Sequence, residues 1–372
     1  MTHKKDSDDF AIVTVGSGNI EYILEHKGEI IPGQKHIVKA HEFFGGSCLN
    51  YTFRLMAAGY DVFPMPLVGD DPSGQKIRKA LLEYARPEAL SKTIQTFVAA
   101  DDFLLPALET PQTTVVVHAG RRTIFSPELG AAREATQSLM QRFDKVADAT
   151  GSGRMAVMIG HILLNGDASN PGEVTQKIIE RFYRQHLIFV NFGRSQYRHG
   201  IEFWEKALKN VDLLQLNLGE IRHLFRDTKN PVTLSGVIDW LKAHAITAVI
   251  TLKQLGAIGT FGDGSDGLVF ARPLNIPAVV DPTGAGDAFA AGMVASLKCQ
   301  KNFGFQDFKA GMTQGRLWAS YACTKIGAST DCPDLKTLAA FEKACAAPGG
   351  EVLHITDDQY AHEIMNFIDE AY

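Results

Sequence analysis

The run Asp281-Pro282-Thr283-Gly284-Ala285-Gly286-Asp287 concentrates groups able to do chemistry within one short stretch. It follows an apolar segment, 276–280, that reads as a strand, and it precedes 288–297, which reads as a helix. A glycine-rich turn at a helix N-terminus lets the backbone approach a ligand. The unpaired first-turn N–H groups, with the positive end of the helix dipole, then form a site for an anion. A carboxylate at Asp287 would repel that anion unless it had a task. Taking a proton from an attacking hydroxyl is such a task. Capping the helix after a tight turn is the structural alternative, and these residues alone leave both open.

The elements that must position this run follow from the hydrophobic pattern. Short β-branched runs at 11–15, 62–68, 155–159, 187–190, 211–216, 248–252 and 276–280 predict buried strands. Amphipathic segments between them predict helices. Asp71-Pro72 opens one, with Asp71 as cap, Pro72 at the first helical position and Ile77, Leu81 and Leu82 on one face. Asn170-Pro171-Gly172-Glu173 opens another, with Glu173 spaced to reach back to the Asn170 amide. Alternating strands and helices predict an α/β fold of three α/β/α layers around a mainly parallel sheet. At 20–44 and 113–125 the pattern changes to ribbons around turn residues (Gly28, Pro32-Gly33, Ala119-Gly120). These read either as a small β-sheet lid or as edge hairpins.

Composition narrows the classes further. The 372 residues carry 37 Lys+Arg and 42 Asp+Glu, a formal charge of −5, with 45% apolar and 21% charged residues, which excludes a disordered chain. Cys48, Cys299, Cys323, Cys332 and Cys345 form no C-x-x-C pair and sit at no zinc spacing with histidine. That argues against a disulfide framework or structural zinc, and for a reducing cytoplasm. The charged start MTHKKDSDDF lacks an apolar signal core, and no apolar window reaches membrane-spanning length, so no membrane partner is expected. Without a basic run, no nucleic-acid partner is expected either. At roughly 150 residues per domain, length alone suggests two domains.

The run DPTGAGDAFAAGMVASL resembles the C-terminal signature of the ribokinase-like, or pfkB, carbohydrate and nucleoside kinases. Gly45-Gly46-Ser47-Cys48-Leu49-Asn50, continuing to Ala58-Gly59 and Gly69-Asp70-Asp71, is similar to that family's N-terminal di-glycine block. Asn217-Leu218-Gly219-Glu220 is similar to its Asn-x-x-Glu motif. The matches stand in the family's order and span roughly residues 11–330. The resemblance implies transfer of a phosphoryl group from ATP to a hydroxyl, commonly a hydroxymethyl, of a sugar or nucleoside. It implies Asp287 as general base and the Gly284, Ala285 and Gly286 amides as an anion hole. Asn217 and Glu220 would hold Mg2+ through water, and their structural alternative is a capping pair at a helix start.

The same resemblance assigns the acceptor to Gly45, Gly46 and Asn50, with Asn19 and Glu21 from the end of the first strand. Many members carry Asp where this chain has Glu21, whose extra methylene shifts the carboxylate. Thr251 and Gly256 would line the nucleotide, although Lys253 stands where Gly is usual, and Gly327 would belong to an adenine-flanking loop. Asp281 and Thr283, with carbonyls near Gly327, would hold a monovalent cation (K+) as in some members. Tyr22, Phe43, Phe44 and Tyr51 would either stack on a base or pack the lid. The acceptor blocks lack a Lys/Arg cluster, which argues against an already phosphorylated acceptor.

Acceptor blocks near the N-terminus and phosphate groups near the C-terminus must share one sheet, so the expectation becomes a single domain. It spans 10–346, with lid segments at about 20–44 and 93–126, a disordered tail at 1–9 and a C-terminal extension at 347–372. A homodimer through the lid is the expected assembly. Gly262-Asp263-Gly264-Ser265-Asp266-Gly267 satisfies GxGxxG but precedes a strand, so it reads as a hairpin turn rather than a dinucleotide site. No P-loop occurs, Arg194 is given no role, and His118, His161 and the other histidines show no metal spacing and read as ordinary residues. The alternative reading is a catalytically silent sugar- or nucleoside-binding regulator, against which the intact GAGD run speaks.

Overall fold

The computed structural model describes residues 10–26, 28–84, 92–118, 121–127, 132–150, 153–162, 172–226, 232–262, 267–345, 352–356, 362–366 and 368. The expected tail at 1–9, the Asn170-Pro171 cap and the Ala119-Gly120 turn lie outside them. In chain order the strands are β1 (Phe10–Ser17), β2 (Asn19–His26), β3 (Lys39–Gly45), β4 (Val62–Leu67), β5 (Gln112–His118), β6 (Arg121–Phe125), β7 (Arg154–Ile159), β8 (Leu187–Asn191), β9 (Leu213–Asn217), β10 (Ala248–Thr251), β11 (Ala257–Thr260), β12 (Leu268–Ala271) and β13 (Val352–Ile355).

Nine of them form one sheet in the order β13-β12-β11-β10-β9-β8-β7-β1-β4, and β3-β2-β5-β6 form a second. From β4 to β10 every pairing is parallel, and the β10-β11-β12-β13 edge is antiparallel. The parallel strands are buried nearly throughout, as strands covered on both faces must be. This is the α/β architecture with a separate small sheet that the sequence predicts. β11 and β12, on either side of the GxGxxG run, pair antiparallel, while residues 263–266 of that run lie outside the described ones.

The strand expected at 276–280 does not form. Val279 and Val280 are 62% and 54% exposed, and the amides of Val280 and Asp281 both donate to the Cys323 carbonyl instead of to a ladder. The physical reason lies at the sheet edge: the position beside β12 is taken by β13 from the C-terminal segment. Pro277 within the run was the local warning. The segment at 347–372 is accordingly more than an appendage, since β13 completes the sheet and Met365 and Ile368 are buried in the main core.

The segment expected at about 93–126 divides between the main body and the small sheet. Residues 92–99 form a helix whose Ile94 and Val98 are buried and whose Phe97 ring packs edge-on to Phe63 of β4, 5.5 Å between centroids. Leu105 donates its amide to Val68, so the chain from 93 to 111 belongs to the main body and the second ribbon starts at Gln112. Asp71 couples the two parts: its Oδ1 accepts the Gly74 amide at 2.8 Å, as the expected cap, and its Oδ2 accepts the Thr110 amide at 2.7 Å just before β5.

The helix Ala285–Leu297 is apolar on nearly every side and is buried accordingly, packed between the helices Ser47–Ala57 and Phe305–Ala322. It tolerates this because its own small residues admit neighbours closely: a Cβ on Gly292 would fall 2.7 Å from the Trp318 ring. Packing therefore anchors the C-terminal motif directly against the helix that begins with the di-glycine block.

Candidate active site

The site is built where parallel strands end and the buried helix begins, the position at which α/β sheets bind ligands. Gly284 caps the helix with φ +70°, and a Cβ there would meet the Ala328 Cβ at 2.6 Å, so this turn accepts only glycine. Of the three amides expected to bind an anion, that of Ala285 is engaged, donating to the Pro282 carbonyl at 3.2 Å. The Gly284 and Gly286 amides make no hydrogen bond among the described residues. Gln215 of β9 donates from Nε2 to the Gly286 carbonyl at 2.9 Å, fixing the turn to the sheet.

Asp287 lies one step further along the same turn. Asn50 Nδ2 donates to its Oδ2 at 2.7 Å, joining residues 237 positions apart. Burial lifts the Asp287 carboxyl above its ordinary range, against the opposing pull of His161, Asn50, Arg54 and Tyr51. The same burial, with the Asp287 charge beside it, pushes the Tyr51 phenol well up.

Asn217 and Glu220 realise both of their sequence readings. The Asn217 side chain accepts the Glu220 amide at 3.0 Å and the Glu220 carboxylate accepts the Asn217 amide at 2.9 Å, a reciprocal cap on the helix Leu218–Leu224. Both residues also line a cavity of about 170 Å³ together with Gly284, Gly286 and Asp287. Burial, aided by the Asp287 charge, pushes the Glu220 carboxyl up to about 8 despite its hydrogen bonds to Asn217 and Asn191. A carboxylate so short of compensation suits an approaching cation, and this pair fits a water-mediated Mg2+.

His161, which the sequence reading passed over, lines the same cavity. Asn191 donates its Nδ2 to the Gln215 carbonyl at 2.9 Å, which turns its Oδ1 toward His161. His161 Nε2 therefore donates to that oxygen, 2.8 Å away, and burial depresses the basicity of the ring against the opposing pull of the Asp287 charge and the Asn191 hydrogen bond. Its backbone amide donates to Ser47 Oγ at 2.8 Å, tying the β7 exit to the di-glycine helix. The signal that could have found His161, Asn191 and Gln215 is positional: each lies in or just beyond the last residues of a parallel strand, as Asn217 and Thr251 also do.

On the acceptor side, Gly46 carries φ +90° and its missing Cβ would lie 2.4 Å from the Ser17 carbonyl. Gly45 leaves room for Glu21, whose carboxylate carbon would stand 2.3 Å from a Cβ there. Asn19 donates to Thr113 Oγ1 of β5 at 2.7 Å. The carboxamide oxygens of Asn19 and Asn50 are buried and have no partner among the described residues. Two of the aromatics are committed to packing: Tyr51 is fully buried edge-on to Phe189, and Phe44 lies against Phe53.

Of the residues expected to line the nucleotide, Gly256 and Gly327 are not among those lining this cavity. Gly256 occupies the β10–β11 turn with φ +104°, where a Cβ would fall 2.1 Å from the Ala271 carbonyl, so its role there is to close a turn. Lys253 in the same turn has φ +54°, a left-handed conformation that explains why glycine is favoured at this point. Thr251, by contrast, lines the cavity from the end of β10. Asp281 gathers the phosphate loops: Oδ1 accepts the Thr283 amide at 3.0 Å and the Thr283 hydroxyl, and Oδ2 accepts the Gly327 amide at 3.0 Å.

Comparison with known proteins agrees with this fold. The fold is similar to that of ribokinase from Giardia lamblia, with a TM-score of 0.70, 17% identity and coverage of 90% of this chain and 99% of that one. It is also similar to the Burkholderia thailandensis nucleoside kinase solved with inosine (TM-score 0.64, 17% identity, 90% and 98% covered). The Arabidopsis thaliana ribokinase complexed with ribose and ATP gives a TM-score of 0.65 at 16% identity, with 90% and 98% covered. No curated protein matches the sequence. Residues 101–335, well over half of the chain, match the pfkB family carbohydrate kinase domain, and the chain belongs to that family.

Proposed function

We propose that this chain is an ATP-dependent phosphotransferase that moves the γ-phosphate to a hydroxyl, commonly a hydroxymethyl, of a sugar or nucleoside. The observation that carries the reading is the 2.7 Å hydrogen bond from Asn50 to Asp287. It joins the di-glycine block to a carboxylate of raised basicity at a helix N-terminus whose Gly284 and Gly286 amides are open. Asp287 accepts the proton of the attacking hydroxyl, and Asn50 holds the carboxylate in the orientation for it. The Gly284 and Gly286 amides stabilise charge on the transferring phosphoryl oxygens; the Ala285 amide contributes less, because it is turned to Pro282. Asn217 and Glu220 hold Mg2+ through water, and the ion when bound offsets the charge of the phosphates.

Glu21, Asn19, Gly45, Gly46 and Asn50 bind the acceptor, Asn19 and Asn50 through oxygens that acceptor hydroxyls can satisfy. The two ribbons act as a lid that excludes water from the transfer. Ile37, Ile124 and Phe125 in and beside them are 88%, 63% and 59% exposed, apolar surface that supports a homodimer through the lid. Among the described residues no helix is long and apolar enough to cross a membrane, and a cytoplasmic enzyme is the setting we propose. The test is Asp287→Asn, assayed by ADP release with a panel of sugars and nucleosides. The expected outcome is a loss of kcat on the order of a thousandfold with binding nearly unchanged. Full turnover in that variant would remove the role given to Asp287.

A further inference from the structure

In the loop expected to hold a monovalent cation, the Asp281 carboxylate and four of the nearby carbonyls are already engaged. Asp281 already accepts three protein donors. The neighbouring carbonyls are likewise taken: Cys323 by the amides of Val280 and Asp281, Ile326 by the Thr330 hydroxyl, and Ser329 by the Cys332 thiol. The Ala328 carbonyl accepts from Arg54 Nη2 at 2.5 Å. A K+ ion entering here would compete with these hydrogen bonds and would stand beside the guanidinium that already holds the Ala328 carbonyl, so the site is set against a second cation.

Arg54 itself is the unusual group. It sits on the helix Ser47–Ala57 that starts with the di-glycine block, is 2% exposed, and has no carboxylate within ion-pair distance among the described residues. Its Nε has no partner among them either. Burying an unpaired guanidinium is costly, and such a charge is kept where an anion offsets it. Ala328, which it grips, packs directly on Gly284, the cap of the anion-binding turn. Ser329, the next residue, donates its hydroxyl to the Phe44 carbonyl of β3, so the gripped loop also touches the lid. The Arg54 charge acts on Asp287 and Cys323, favouring the ionised form of each.

We propose that the Arg54 guanidinium is the resident monocation of this active site, standing behind the anion-binding turn, and that phosphoryl transfer by this chain therefore needs no diffusible monovalent cation. The proposal rests on the phosphotransferase reading above. It makes Arg54 a positioning residue, acting through the Ala328 loop and through its field rather than by touching substrate.

The first test needs no variant. Melting temperature with Mg2+ and a non-hydrolysable ATP analogue is compared in KCl and in tetramethylammonium chloride at equal ionic strength, together with ADP release in both. Equal melting temperatures, and turnover within about twofold, are expected. A K+-specific rise in melting temperature or a several-fold gain in turnover would overturn the proposal. The second test is Arg54→Met beside Arg54→Lys. The Met variant should lose on the order of a hundredfold in kcat, with acceptor KM little changed and part of the loss restored by non-denaturing guanidinium. The Lys variant should keep more activity than Met and stay indifferent to K+. A folded Met variant with undiminished kcat, or a Lys variant that becomes strictly K+-dependent, would sink it. If the wild-type chain transfers phosphate to no acceptor, the phosphotransferase reading fails, while the melting-temperature comparison still decides whether K+ binds.

Discussion

The two halves that meet at Asp287 differ in how far their side chains are already paired. On the side proposed to meet the phosphates, Asp281 accepts from Thr283 and Gly327, Gln215 Nε2 holds the Gly286 carbonyl, and Asn217 and Glu220 cap each other, while the Gly284 and Gly286 amides and the Gln215 Oε1 have no partner among the described residues. On the acceptor side, Asn19 and Asn50 each donate one hydrogen bond and leave a buried oxygen without a partner among the described residues. Leaving a buried acceptor unpaired costs roughly 1–3 kcal/mol. Rigidity and selectivity therefore reside in different places. In the function proposed above every ATP presents the same phosphates, so that half can be largely finished in advance with its amides left to meet them, whereas the acceptor half would keep open oxygens for the hydroxyls that distinguish one substrate from another.

The contrast can be attacked from either side. Gly284→Ala disturbs the finished half, since its Cβ would fall 2.6 Å from that of Ala328 at a left-handed φ. Steady-state kinetics should show kcat down on the order of a hundredfold or more, with ATP affinity reduced and acceptor affinity preserved. Asn19→Ala disturbs the open half. Here acceptor KM should rise about tenfold, the size of one lost hydrogen bond to a ligand, with ATP KM unchanged. An equal effect on both substrates would erase the distinction drawn between the halves.

Glu220→Gln probes the finished half through pH. The folded chain raises the Glu220 carboxyl from 4.5 to about 8, so between those values the folded state holds a proton that the unfolded state releases. Stability contributed by this group is therefore fully present below pH 4.5 and is lost as pH rises through 8. Gln cannot ionise, and it can still complete the cap on Asn217. Urea unfolding at alkaline pH should find the variant more stable than wild type by a few kcal/mol at most, because each tenfold change in proton affinity is worth about 1.4 kcal/mol. Near pH 4 the two should converge. A wild type whose stability does not fall across that range would contradict the burial assigned to Glu220.

The motif residues were legible because their chemistry is local. A glycine turn at a helix start needs Gly284 wherever it occurs, and Asn217 with Glu220 form a cap from spacing alone. The parallel sheet was legible too, since strands covered on both faces must be apolar throughout. What failed was whatever depended on a neighbour distant in sequence. The run at 276–280 has the composition of a strand, but β13 holds the edge it would need. Gly256 was read from its motif alone, and its closing of a turn against the Ala271 carbonyl came only from the fold. His161 looked ordinary because its meaning comes from Asn191 and Asp287, which only the assembled sheet brings beside it.

Fold class and family were thus readable from the chain alone, because they rest on periodicity and on contiguous motifs. Which amides stay open, that Asn50 reaches Asp287, and that a buried arginine occupies the neighbourhood of the expected cation loop came from the folded arrangement. Those are distances between residues tens to hundreds of positions apart, and the packing of the helix Ala285–Leu297 between its neighbours is what sets them.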